Sequence, residues 1–272
     1  MRTRRWVRWR SLAGFLAAWA ILGSAWELGA KTGILNASIL PPPSQFIPYM
    51  INGPGSAGIG TTEVSFSHAI MDTVLRVAVG FGLGVGGALV VGTLLAATRA
   101  ARLVGMPIAQ TIAPIAPVAW IPLAIALIGT GSGAAIFVVF MGIFATMTLA
   151  TIAALASVPT EYVKGARVLG SQGWRLWLRV VIPAASPGLA TAVRISFFAA
   201  WMSVLAGEMA GINSGLGALV ILGQQQFNMR LVMAGLVMIG LLGFAFDRLL
   251  LLMRHRILWW EARTQGMAAG DA

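Results

Sequence analysis

The sequence contains no cysteine. Disulfide bridges and thiolate metal sites are both excluded. Charge is also scarce: 10% of the 272 residues are Asp, Glu, Lys or Arg, whereas a soluble domain carries about 25%. With two histidines and eight acidic residues in all, no catalytic constellation stands out, which weakens a membrane-enzyme reading. Ten-residue stretches of alternating polarity, the signature of a transmembrane barrel, are absent. No P-loop is present either. In "GSAWELGAKT" (23–32) Ala30 separates Gly29 from Lys31, and no buried strand precedes the stretch.

What the chain has instead is apolar length. Hydrophobic residues make up 58% of it and the mean hydropathy is +0.85. A helix crossing the hydrocarbon core needs about 20 apolar residues, and six runs qualify: about 12–30, 69–97, 103–128, 134–157, 188–211 and 229–252. Backbone groups in lipid must be satisfied within the segment, so these runs are expected to be helices. The expected fold class is an all-α membrane protein with six transmembrane helices. The expected layout is a basic N-terminus (1–11), a first span (12–30), an outer loop (31–68), a five-helix core (69–252) holding a cytoplasmic connection (159–187), and a tail (253–272). The N-terminal run followed by "GSA" at 23–25 imitates a signal peptide, but five further spans make a retained first helix the simpler expectation.

The formal charge of +11 would suggest nucleic acid in a soluble chain. Its distribution gives topology instead. Arg2, Arg4, Arg5, Arg8 and Arg10, then Arg99 and Arg102, then Lys164, Arg167, Arg175 and Arg179, then Arg254, Arg256 and Arg263 all fall on one side of a six-span chain. Basic residues accumulate in the cytoplasm, so both termini are expected there, and no nucleic-acid partner is needed.

Glycine and proline punctuate the spans. "GLGVGG" (82–87) formally matches a dinucleotide fingerprint, yet it lies mid-span with no preceding strand. Pairs four apart, Gly80/Gly84 and Gly82/Gly86, are better read as close helix contacts. "LPPPSQF" (40–46) reads as extended or turn-like, and "NGPGSAGIG" (52–60) as a flexible loop. The third span carries Pro107, Pro114, Pro117 and Pro122. Such breaks are tolerated where they face protein or a water-filled cavity, so Pro117, Trp120 and Pro122 are candidates for a pathway or gate. On the fifth span Trp201 and Glu208 lie two turns apart on nearly one face and join that candidate set. An intramembrane carboxylate needs a partner, for which Arg76 and the outer-loop backbone are available. His68 and Ser214 both border outer loops, but nothing in the sequence joins them as a protease pair. No metal site is expected.

The stretch "EYVKGARVLGSQGWRLWLRVVIPAASPG" (161–188) is basic and amphipathic in an otherwise apolar chain. Thr160 is placed to cap a first helix, with Glu161 at the positive end of its dipole and Tyr162, Ala166 and Leu169 on one face. Gly170 suits a C-cap, and Ser171 can cap a second helix. In that second helix Trp174, Trp177, Leu178 and Val181 follow helical spacing, and Pro183 and Pro187 are expected to end it before the fifth span. Spacing alone fits two amphipathic helices on headgroups as well as docking on a partner.

This stretch resembles the cytoplasmic EAA loop of binding-protein-dependent ABC importer permeases. Lys164, Gly165 and Ala166 occupy the E-A-A places, followed by Gly170, Val180 and Ile182-Pro183. Lys164 and Gly165 depart from the pattern's Glu and Ala, and Glu161 stands one turn earlier. "ILPPPSQ", "RVAVGFGLGV", "APVAWIPLAIALIG" and "LAGEMAGINSGLGALV" resemble the nitrate/sulfonate/taurine branch. The resemblance implies a type I (MetI-like) permease in a bacterial inner membrane, paired with a second copy. Glu161, Lys164, Gly165, Ala166, Gly170, Trp174, Arg175 and Pro183 would couple it to two cytoplasmic ATPases that bind ATP and Mg, this chain holding no cofactor itself. A periplasmic or lipid-anchored binding protein would deliver a small anionic solute. The rival is an ion-coupled secondary transporter, which usually places several ionisable groups near the midplane. Asp72, Arg76, Glu208 and Asp247 are few for that, and no internal repeat is visible.

Overall fold

A computed structural model describes residues 2–52, 66–212 and 214–258, and these are helical with no strand among them. Eleven α-helices follow in order: α1 (Arg2–Lys31), α2 (Pro43–Asn52), α3 (Phe66–Ala97), α4 (Arg99–Ile112), α5 (Ile121–Ile128), α6 (Ser132–Ala156), α7 (Thr160–Val168), α8 (Gly173–Leu176), α9 (Ile182–Met209), α10 (Leu216–Gln225) and α11 (Met229–Ile257). α3, α6, α9 with its preceding turns, and α11 are each long and apolar enough to cross a membrane. The paired α4 and 117–128 segment makes a fifth crossing if its two halves count as one.

α6 is the most enclosed of the long helices, and it packs against α3 through a glycine stripe. A Cβ on Gly80 would lie 2.7 Å from Val139 Cβ, and one on Gly92 2.7 Å from Thr151 Cβ. Gly84 is equally tight against Ile143. Only this register is at the interface, because a methyl on Gly82 or Gly86 would meet nothing within 4 Å. The expectation of close contact therefore holds for Gly80/Gly84 and fails for Gly82/Gly86, which lie on the outward face.

Two expectations are corrected by the structure. The "LPPPSQF" stretch is not extended throughout: α2 starts at Pro43, since proline at a helix's first position forfeits a donor that has no partner there anyway. Glu27 of α1 fixes that start by accepting from Ser44 N (3.2 Å) and Ser44 Oγ (2.8 Å). The third span is not one kinked helix. It breaks at 113–116 and turns by 96°, because Pro117 forces Ala116 into extended backbone (φ −61, ψ 140) and neither Pro114 nor Pro117 supplies an N–H. α11 itself continues beyond the apolar run 229–252, to Ile257. Most of the loop expected at 52–60 lies outside the described residues, as does the tail beyond 258.

Candidate functional site

The 159–187 connection is a helix pair with a sharp turn. α7 ends in a Schellman motif: Ser171 N donates to Ala166 O (2.9 Å) and Gly170 N to Arg167 O (3.0 Å). Gly170 sits at φ +79, where a side chain is strained. Glu161 is in the first turn of α7 and Arg167 in the last, so both complement its dipole.

The expected caps differ. Pro159 precedes α7, and the Thr160 hydroxyl donates to Glu161 Oε1 (3.2 Å) instead of capping. Gln172 stands at the start of α8 in place of Ser171.

The expected faces differ too. Val163 and Ala166 turn inward onto Leu155, Leu176, Val181 and Ala185. Tyr162 and Leu169 face out, Leu169 at 87% exposure. Leu176 is buried in the second helix, whereas Trp174 is 69% exposed. An apolar patch of Tyr162, Val168, Leu169 and Trp174 thus stands in the open beside the exposed Lys164 and Arg175.

The largest correction is that Pro183 and Pro187 do not stop the second helix. α8 continues through a π-helical turn at Trp177–Val181 into α9, and Gly173–Met209 forms one run of 37 residues. Pro183 falls at the start of α9, where the wider turn, with Ile182 N donating to Trp177 O, absorbs its missing N–H and its ring.

At the C-terminal end of α9, Glu208 is 2% exposed and fully engaged. Its carboxylate accepts from Thr73 Oγ1 (2.9 Å), Arg76 Nη1 (3.0 Å) and Gly217 N (3.0 Å). Thr73 Oγ1 in turn accepts from Leu216 N (2.9 Å). Arg76 spends its other donors on Ser132 Oγ and on the Ser214 carbonyl and hydroxyl. One knot therefore joins α3, α6, α9 and the start of α10. Gly215, at φ +103, is packed on the Glu208 carboxylate so closely that no side chain fits. Of the partners proposed for Glu208 from sequence, Arg76 is present, and the backbone donor, Gly217 N, belongs to the first turn of α10 instead of a loop.

The remaining pathway candidates separate. Trp120 packs with Ile121, Ala124 and Ile212 beside the break in the third span. Its indole N–H is buried without a partner. Trp201 is 5% exposed and packs with tilted rings between Phe197 and Phe246, over Gly243 of α11. Pro117 touches the space beside Gly142 and Ser203 where α6 meets α9. Two cavities accompany these residues. An outer one of about 440 Å³ is rimmed by His68, Asp72, Ser214 and Gln225. The structure thus brings His68 and Ser214 to one cavity, but Ser214 is held by Arg76, with no Ser214–His68 bond among the described residues. The other, about 600 Å³, lies between α6 and α9 and is lined by small residues including Thr146, Ala150, Thr191 and Ala199. Its threonine hydroxyls donate to their own helices, Thr146 to Ile143 O and Thr191 to Pro187 O.

An intramembrane ion pair escaped the sequence reading. Arg194 of α9 makes a two-point ion pair with Asp247 of α11, Nε to Oδ1 at 2.6 Å and Nη2 to Oδ2 at 2.9 Å. The signal was present: an arginine within the apolar run 188–211 demands an acid, and Asp247 was the one left without a partner.

Four helices long and apolar enough to cross a membrane, with a sharply bent pair beside them, define the class: a polytopic helical membrane protein. Residues 84–259 match the family described as "Binding-protein-dependent transport system inner membrane component", and the chain belongs to that family. It is a permease subunit of an ABC importer of the nitrate/sulfonate/taurine branch. The chain is 34% identical over 237 residues to a putative ABC transporter permease protein of Methanocaldococcus jannaschii, covering 87% of each. It is 24% identical over 262 residues to the taurine transport system permease protein of Escherichia coli, covering 96% of this chain and 94% of that one. Among solved structures, the inward-facing MetNI methionine ABC transporter matches with a TM-score of 0.60 at 24% identity, over 70% of this chain and 93% of that one. That likeness concerns the fold.

Proposed function

We propose that two copies of this chain form the membrane pathway of an ATP-driven importer for a small anionic solute. A binding protein outside the membrane delivers the solute, and two cytoplasmic ATPases grip the 159–187 connection. The observation that carries this reading is the unbroken run from Gly173 to Met209. A push on Trp174 and Arg175 would be carried along one continuous helical run, through the π-turn and past Pro187, to Glu208 at the outer knot. The exposed apolar patch with flanking cations suits a groove on a soluble motor that is apolar with an acidic rim. Both termini lie in the cytoplasm. ATP and Mg belong to the partners, and the chain alone hydrolyses nothing. Gly188, Thr191 and Ile195 form an open strip along α9 beside the small-residue cavity. That strip would meet the second copy and enclose the route, with the break at Pro117, Trp120 and Pro122 beside it. The anionic solute follows from the branch, whose relatives include permeases named for taurine, aliphatic sulfonates, nitrate and bicarbonate.

The test is reconstitution in liposomes with the ATPase and binding protein purified from the same cells. ATP hydrolysis and uptake should both require all components and rise with loaded binding protein. Uptake driven by an ion gradient, with this chain alone, would overturn the reading.

A further inference from the structure

The inner end of the α9–α11 seam carries more positive charge than it neutralises. Arg194 is 39% exposed although it pairs with Asp247, and its Nη1 makes no hydrogen bond with another described residue. Arg248, the next residue along α11, is also exposed, and its guanidinium stands 4.7 Å from the centre of the Phe244 ring. Two guanidinium groups around one carboxylate leave a net single positive charge. The depth of this cluster follows from helix geometry. Arg230 and Arg248 are eighteen residues apart on α11, or about 27 Å at 1.5 Å per residue. That is close to the roughly 30 Å thickness of the hydrocarbon core. With Arg230 at the outer boundary, Arg248 and the pair reach the inner headgroup level.

Toward the membrane centre the same seam turns apolar and open. Gly240 and Phe244 lie seven and three residues before Asp247, on its side of α11. A methyl on Gly240 would meet nothing within 4 Å, and Phe244 is 45% exposed. Across the seam Phe198, one turn beyond Arg194, is 47% exposed. A charged head at the boundary, with exposed apolar side chains and open space at Gly240 beyond it, describes an amphiphile with an anionic head.

We propose that this seam binds an anionic phospholipid of the inner leaflet, its phosphate between Arg194 and Arg248 and an acyl chain along Gly240. Basic clusters between helices on the cytoplasmic side are suited to such headgroups. The lipid would brace α9 against α11 where the cytoplasmic lever enters the membrane.

The test uses the full-length chain in detergent, with equal amounts of phosphatidylglycerol and phosphatidylcholine added and bound lipid read by native mass spectrometry. Phosphatidylglycerol should be retained preferentially, and Arg248→Ala should lower that retention about fivefold. Gly240→Leu has room to fold and leaves the ion pair alone, so it should reduce retention by filling the open space there. Millimolar inorganic phosphate should not displace the lipid. Equal retention of both lipids, insensitivity to both substitutions, or complete displacement by free phosphate would each overturn the proposal. So would a Gly240→Cys chain, otherwise free of cysteine, that crosslinks efficiently to a second copy in native membranes, because that space would then be covered by protein.

Discussion

Glu208→Gln is the sharpest perturbation the structure offers, because the substitution keeps shape and changes only charge and donor pattern. Every group facing the carboxylate is a donor: Thr73 Oγ1, Arg76 Nη1 and Gly217 N. An amide nitrogen placed at either oxygen position meets one of those donors, and Arg76 loses its buried counter-charge. Breaking a buried pair by removing one partner costs about 3–5 kcal/mol. The retained amide oxygen keeps part of the network, so the lower end, about 3 kcal/mol, is expected. For a chain of this size that corresponds to a fall of about 6–12 °C in melting temperature. The assay is thermal unfolding in detergent followed by tryptophan fluorescence, run beside uptake in liposomes at matched protein amounts. Uptake should fall in step with stability, since the residue ties four elements together and is shielded from solvent. The Arg76→Met, Glu208→Met double variant should lose less than the sum of the single losses. A Glu208→Gln protein with unchanged melting temperature and abolished uptake would refute this reasoning and return Glu208 to the outer gate.

Gly80→Ala should destabilise the chain by about 1–3 kcal/mol, because its methyl would collide with Val139. Gly82→Ala, two residues away, should be neutral or stabilising by up to about 1 kcal/mol, and parallel melts of the two variants check both. Gly170→Pro, and separately Arg175→Glu with Arg179→Glu, should uncouple ATP hydrolysis from uptake while the protein still inserts, measured on the reconstituted complex. Phe227 holds the C-terminal turn of α10 at φ 54, a conformation costly for any side chain, with its ring 87% exposed. Phe227→Gly should raise stability by about 1 kcal/mol in the same unfolding assay.

The long helices were legible because lipid imposes one rule, about 20 apolar residues with every backbone group satisfied, and α3, α6, α9 and α11 obey it. Gly170 was legible because only a left-handed position suits the end of that helix. Pairings between distant segments were not. Arg194 and Asp247 are 53 residues apart, and no local pattern links them. The continuity of α8 with α9 was hidden for a different reason. Proline signals a stop unless the preceding turn widens, and that widening depends on how Leu176 and Val181 pack on Leu155 and Ala185. Likewise, which glycine register meets α6 depends on how α3 is rotated about its axis, which small residues on two registers leave undecided.

The π-helical turn at Trp177–Val181 preserves a rotational phase. A π-turn accommodates one residue more than an α-turn, and each α-helical residue represents about 100° of rotation. Deleting one residue within 177–181 would let the segment relax to an α-helix and leave the packing of α9 against α3 and α6 untouched. Because the wide turn absorbs its extra residue with little change of phase, Trp174 and Arg175 would keep nearly the same direction. One residue deleted from the regular helix just beyond the turn would instead swing them about 100° around the helix axis. The two deletions would therefore separate the direction in which Trp174 and Arg175 point from the length of the helix that carries them.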